Sequence, residues 1–174
     1  MSLYIGVDPG LHGGIVAINE VSHCLFAWAA DDPGRGDRIP GYAVGDIDAR
    51  GLLHELRCLA DTIPVAVVAI ETPLAFAAGG VTNALRTGQA WGQIRAVLAI
   101  LDVPVFEVTP AMWSVTVLGK PPKGGWEPKA KKQAAIDACR ARVPSLGLVL
   151  PGRRIPHDGL ADAACIALWA KRQA

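Results

Sequence analysis

Residues 5–18 read IGVDPGLHGGIVAI, two short apolar runs around a Gly-rich turn, with one carboxylate, Asp8, closing the first run. Apolar runs of this length bounded by turn residues are the pattern of buried strands, and Pro9 to Gly14 supply the turn. The spacing predicts strands at about 3–8 and 14–19, with 23–29 alternating as the third strand of an antiparallel meander. DDPGRGDRIPG (31–41) then reads as a polar loop. The recurrence of Leu52, Leu53, Leu56 and Leu59 predicts a helix over 49–62, and VAVVAI (65–70) a fully buried strand followed at once by a second carboxylate, Glu71.

The longest helical pattern, VTNALRTGQAWGQIRAVLAIL (81–101), opens at Thr82 or Asn83 and carries Leu85, Trp91, Ile94, Val97, Leu98 and Leu101 as its apolar positions. Gly88 and Gly92 share one face of it at a cost of about 1 kcal/mol each in helix propensity, which points to close approach of another backbone, within the chain or across a dimer. VPVFEV (103–108) is a strand, and Thr109 with Pro110 forms an N-cap and first-turn proline for a short helix toward Leu118. GKPPKGGWEPK (119–129) reads as a mobile basic loop, in which Trp126 either stacks on a base or anchors the loop. Helix returns in KKQAAIDACRARV (131–143), breaks at PSLGLVLPGRRIP (144–156) and resumes in HDGLADAACIALWAKR (157–172). The order βββαβαβα with a terminal helix is an α/β layered fold.

With 174 residues, 51% hydrophobic and 19% charged, the chain suits one domain over 1–174 with a sizeable core. MSLYIGVD carries no cationic and apolar leader, and no apolar run reaches membrane-spanning length without Gly or charge, so a soluble, cytoplasmic protein without a membrane partner is expected. Cys24, Cys58, Cys139 and Cys165 are far apart and fit no zinc spacing, so buried, reduced packing residues are expected. The net charge of +1 conceals a polarity: from Trp113 onward eleven bases face four acids, and before it six bases face twelve acids. A polyanion partner explains such asymmetry, and a solvated Lys-rich surface explains it as well.

Asp158 and Asp162, four apart on the last helix, project from one face. Together with the strand-end acids Asp8 and Glu71 they form an all-oxygen donor set of the kind hard divalent cations take. The chemistry this suggests is metal-dependent phosphodiester hydrolysis, in which two metals about 4 Å apart activate a water and stabilise the leaving oxygen. Simpler roles compete at two positions: Asp158 as the N-cap of the last helix, and Asp8 as an Asx-turn residue.

The blocks IGVDPGLHGGIVAI, VVAIETP, NALRTGQAWGQIRAVLAILDVPVFEVTPAMWSVTVLGK, KAKKQAAIDA and HDGLADAACIALWA resemble, in that order, the RuvC group of Holliday junction resolvases, from about Leu3 to about Trp169. The resemblance implies an RNase H-like fold with a mixed five-stranded sheet flanked by helices. It also implies a homodimer and Mg²⁺- or Mn²⁺-dependent nicking of two opposed strands of a four-way DNA junction, with two metals per active site. Asp8, Glu71 and Asp162 match the family's carboxylates. Cellular RuvC sequences place the helical pair three apart, where this chain has Gly159, so Asp158 stands in as the fourth ligand and His157 offers a ring nitrogen.

By the same match Lys131 is the catalytic lysine, with Lys132 its neighbour. The family's basic position in the preceding helix aligns with Ser114, so Lys120 or Lys123 would take that role. Lys129, Arg153 and Arg154 complete the expected DNA-binding set, each with a solvated-charge reading beside it. In LAFAAGG (74–80) Leu74 and Phe76 are candidates for an apolar wedge at the junction centre, or else pack beneath the loop. The Gly88/Gly92 helix is the implied dimer seam. The Gly at 159, the chain length and the Lys/Gly/Pro loop lean toward a phage-type enzyme.

Other readings are a related nuclease acting on other branched DNA or on RNA, and a non-catalytic junction-binding relative, though the latter is expected to have lost one of the acids. A sugar-kinase or actin-like fold also begins with an Asp and a Gly-rich hairpin, but it requires two lobes that 174 residues do not accommodate.

Overall fold

Strand alternation sorts the apolar residues into two cores, one on each face of a single sheet. The computed structural model describes residues 1–10, 12–30, 48–73 and 80–174. Its strands are β1 (Leu3–Asp8), β2 (Gly14–Ile18), β3 (Cys24–Ala29), β4 (Val65–Glu71) and β5 (Val105–Val108), and its helices α1 (Ala49–Thr62), α2 (Gly80–Leu101), α3 (Pro110–Leu118), α4 (Pro128–Arg142) and α5 (Asp158–Lys171). The sheet order is β3-β2-β1-β4-β5. β1 pairs antiparallel with β2 and β2 with β3, whereas β1–β4 and β4–β5 are parallel. This is the mixed five-stranded, helix-flanked α/β sheet expected from the sequence.

Leu3, Ile5 and Val7 of β1, Ile15 and Ala17 of β2, and Val68 and Ile70 of β4 pack with Leu52, Leu56, Ile94, Val97 and Leu98 of α1 and α2. The alternate residues Val16, Ile18, Val67 and Ala69 pack instead with α3, α4 and α5. Asp8 and Glu71 fall in the second set of positions, two residues beyond Gly6 and Ala69, so the period of two aims both acids toward the α3, α4 and α5 side. β1 and β4 run parallel with Val7 opposite Ile70, which leaves the two acids side by side at one edge.

α5 is alanine-rich because it lies almost flush on β1. A Cβ at Gly6 would sit 2.1 Å from the carbonyl oxygen of Ala163 and 2.2 Å from the amide nitrogen of Ala167, so only glycine admits the helix backbone there. A Cβ at Gly159 would lie 2.0 Å from the carbonyl oxygen of His12. That contact explains the glycine where the resemblance led one to look for an acid: the β1–β2 turn occupies the space.

Several boundaries and exposures differ from the sequence expectation. α2 opens at Gly80, in the left-handed region at φ 76°, two residues before Thr82. α4 opens at Pro128, three residues before Lys131, because proline suits the first helical position. Three helices follow β5, at the places where the sequence pattern puts the short helix toward Leu118 and the helices of 131–143 and 157–172, one more than the order βββαβαβα with a terminal helix counts. Leu85 is 61% exposed, and among the described residues a Cβ on either Gly88 or Gly92 would meet nothing within 4 Å, so no described backbone of this chain compensates those glycines. Cys139 and Cys165 are buried, but Cys24 is half-buried and Cys58 exposed, contrary to the expectation of four buried thiols. Trp126 is half-buried with its indole nitrogen enclosed, the arrangement of a loop anchor. Among the described residues no helix is long and apolar enough to cross a membrane.

Candidate active site

Three separate segments bring four acids to the carboxyl edge of β1 and β4. Asp8 ends β1, Glu71 ends β4, and Asp158 and Asp162 occupy the first turns of α5. Their charges act on one another. Asp8 is pushed up to about 7, first by burial and then by Glu71 and Asp158, with opposing help from the Gly10 amide. Asp162 is pushed up to about 8 by burial, then by Asp8 and Glu71. Burial also raises Glu71, against the lowering effect of its hydrogen bond from Trp113 and the charge of Lys131. Asp158 alone is held low despite its burial, because the Lys132 ammonium bonds to it.

The hairpin turn shows two roles in one residue. Asp8 Oδ1 accepts the Gly10 amide at 3.0 Å, so the Asx-turn reading of Asp8 holds while the same carboxyl belongs to the acid cluster. For Asp158 the competing reading fails: the N-cap of α5 is His157, whose Nδ1 accepts the Leu160 amide at 3.0 Å. With Nδ1 accepting, the neutral imidazole carries its proton on Nε2, which makes that edge a donor toward an anion.

Basic residues face the acids from α4. Lys129 and Lys131 lie in its first turn, where the helix dipole is already positive and each cation is locally unfavourable, and Lys132 follows directly. The acids supply the compensation. Lys132 pairs with Asp158 and also feels Asp162 and Asp8. Lys131 lies over the ring of Trp113, 4.6 Å from its centroid, and its charge reaches both Glu71 and Asp162. Trp113 is fully buried, and its Nε1 donates to Glu71 Oε2 at 2.5 Å. This contact follows from topology, since Val108 pairs with Glu71 across β5 and β4 and α3 begins two residues later.

The other expected residues are more dispersed. Ser114 is buried against its own helix, its hydroxyl donating to the Ala111 carbonyl at 3.4 Å. Lys120 and Lys123 are exposed in the loop before α4. Arg153 and Arg154 are exposed in the segment before α5, and Arg153 joins His12, Leu150, Ile155, Pro156, His157 and Asp158 around a cleft of about 120 Å³ that opens beside the acids. Leu74 and Phe76 lie outside the described residues. Sequence reasoning missed Trp113; the available signal was an indole in a short, mostly apolar helix, since a buried indole N–H usually finds an acceptor.

Among the described residues no group of three His, Cys, Asp or Glu side chains is gathered tightly enough to hold a metal ion as it stands. The donor chemistry nonetheless fits a hard cation. The acids are carboxylates only, two are raised by burial and then by the neighbouring acids, a repulsion that a cation would relieve, and the Lys132 ammonium is already drawn to three of them.

No family model matches the chain, and no curated protein matches it. Solved structures do. T. thermophilus RuvC in complex with Holliday junction substrate matches with a TM-score of 0.59 at 17% identity, covering 97% of this chain and 91% of that one. The Thermus thermophilus RuvC structure gives a TM-score of 0.59 at 18% identity, covering 95% and 91%. The fold is RuvC-like. Both matches run nearly end to end, so the likeness extends over the fold as a whole rather than over one part of it.

Proposed function

We propose that the protein is a divalent-metal-dependent endonuclease that resolves four-way DNA junctions, acting as a homodimer. The observation that carries this reading is the convergence of Asp8, Glu71, Asp158 and Asp162 on one sheet edge of a RuvC-like fold, opposite the lysine-rich first turn of α4. The similar RuvC structure holds a Holliday junction substrate, which supports branched DNA as the partner.

In this reading the four acids would hold Mg²⁺ or Mn²⁺, two per site, and the chemistry such metals would supply there is activation of a water and neutralisation of charge on the leaving 3′-oxygen. The protein's own groups do the rest. Asp8, held by the Gly10 amide, and Glu71, held by Trp113, are fixed acceptors that need no reorganisation. Lys131, reaching two acids from the Trp113 face, stabilises negative charge developing at the scissile phosphate. Lys132 exchanges Asp158 for a phosphate oxygen as the strand enters, and the Nε2–H of His157 donates to the same backbone. Lys120, Lys123, Lys129, Arg153 and Arg154 bind flanking phosphates, a contribution that weakens as salt rises. Leu74 and Phe76 remain the proposed wedge.

A homodimer is supported by the outer face of α2, where Val81 (86% exposed), Leu85 and Ile100 (58% exposed) flank the uncovered Gly88 and Gly92. Two-fold symmetry matches that of a junction. A substrate panel tests the reading: a synthetic four-way junction, a fork, a flap, linear duplex and an RNA/DNA hybrid, each end-labelled and incubated with Mg²⁺ or Mn²⁺. Preferential cutting of the four-way junction is expected. Preferential cutting of another substrate would keep the site and replace the function, and tight junction binding without cutting would make the chain a non-catalytic relative.

A further inference from the structure

The resemblance leaves a gap that the structure answers. A basic residue of the short helix after β5 is replaced by the buried Ser114, and the adjacent residue is Trp113, buried with its ring between an acid of the site and a lysine of α4. One edge of the indole donates to Glu71, and its face carries the Lys131 ammonium. An indole N–H is a donor only and cannot change charge, so it orients a carboxylate without competing for a proton. An aromatic face attracts an ammonium without withdrawing its protons into a salt bridge. We infer that Trp113 is a positioning residue that couples Glu71 to Lys131, holding the carboxylate aimed at its cation and the ammonium free to meet a phosphate.

The alternatives near Lys131 explain why such a device is useful. Its neighbour Lys132 is bound directly to Asp158, which engages that ammonium with a carboxylate. A lysine paired in that way with Glu71 would cancel one of the site's acids. The Trp113 ring keeps Lys131 near Glu71 while leaving both charges available, and the fixed backbone of α3, capped by Thr109 and opened by Pro110, sets the ring's place. This inference rests on the proposed nuclease reading.

The test uses the full chain, ¹⁵N-labelled, as wild type and as Trp113→Phe, Lys131→Met and the double variant. The readout besides activity is the indole Nε1–H resonance of Trp113, identified by its loss in Trp113→Phe, during titration with Mg²⁺. In the wild type that resonance should move as Glu71 shares its charge with the metal. Trp113→Phe should weaken Mg²⁺ affinity measured by calorimetry about tenfold and slow single-turnover junction cleavage by about 10- to 100-fold. Its junction affinity in the absence of metal should stay within twofold. Lys131→Met, half-buried on the helix surface, should fold normally and slow cleavage comparably, and the double variant should be little worse than the poorer single. Wild-type Mg²⁺ affinity and rate in Trp113→Phe would overturn the inference. So would fully additive losses, or a loss that follows thermal stability with Mg²⁺ affinity unchanged. A wild type that binds no Mg²⁺ and cuts no junction would overturn the nuclease reading and this inference with it.

Discussion

Replacing Asp162 by Asn should stabilise the metal-free protein at pH 8 and do almost nothing for it at about pH 3.5, below the ordinary carboxyl pKa. In the fold Asp162 is raised from 3.8 to about 8 by burial and by Asp8 and Glu71. A raised carboxyl binds its proton more tightly in the native state than in the unfolded chain, so native stability falls as pH rises from about 4 and levels off above about 8. Holding the carboxyl at about 8 instead of 3.8 corresponds to about 6 kcal/mol at most. Asp162 is only half-buried and its repulsion is shared with Asp8, so about 2–3 kcal/mol is the realistic gain on removing the charge. For a chain of this length each kcal/mol moves Tm by about 2–4 °C, which gives a rise of about 5–10 °C. Asn keeps the shape, so packing against α4 and β1 changes little. Thermal unfolding in chelator at about pH 3.5 and at pH 8, wild type beside Asp162→Asn, reads the difference directly. Adding Mg²⁺ at pH 8 should raise the wild type and leave the variant nearly unchanged. A variant no more stable than wild type at pH 8, or one equally more stable at both pH values, would refute the reasoning.

Gly6→Ala should cost at least about 3 kcal/mol, as overpacking against a rigid backbone does, and yield little soluble folded protein, because its Cβ would lie 2.1 Å from the Ala163 carbonyl; normal expression and Tm would contradict the flush packing of α5. Lys132→Met removes an exposed ion pair worth about 0–1 kcal/mol, so Tm should hardly change, while Mg²⁺ affinity measured by calorimetry should rise several-fold as Asp158 is freed. Leu85→Asp, on the exposed face of α2, should convert a sedimenting dimer to a monomer at micromolar concentration without lowering Tm by more than about 0.5 kcal/mol equivalent. A wild type that sediments as a monomer with and without junction DNA would remove the dimer from the account.

The sequence was most legible where one physical signal dominated. β-branched runs ending in acids located β1 and β4, and the period of two along them is what later placed Asp8 and Glu71 on one face. The i, i+4 spacing of Asp158 and Asp162 needed only helix geometry. Signals that depend on tertiary neighbours were not legible. Leu85 is as apolar as Ile94 and Leu98, yet only the latter two meet the sheet, since nine and thirteen residues carry them about half a turn round α2 from it. Nothing in the spacing of Lys131 and Lys132 says that one would lie over an indole and the other bind Asp158. Gly159 looked like a departure from the acid pattern until the His12 carbonyl, distant in pattern terms but adjacent in space, accounted for it. The cap of α5 went to His157 rather than Asp158 because its Nδ1 lies 3.0 Å from the amide of Leu160.

The most direct test of the central claim is strand cleavage of an end-labelled four-way junction by the wild type and by Asp8→Asn, with Mg²⁺ and with chelator. The account predicts paired nicks placed symmetrically on two opposed strands, lost in chelator and lost in Asp8→Asn while junction binding persists. Nicks that survive chelator or the Asp8→Asn change, or no nicks from the wild type in Mg²⁺ or Mn²⁺, would contradict it.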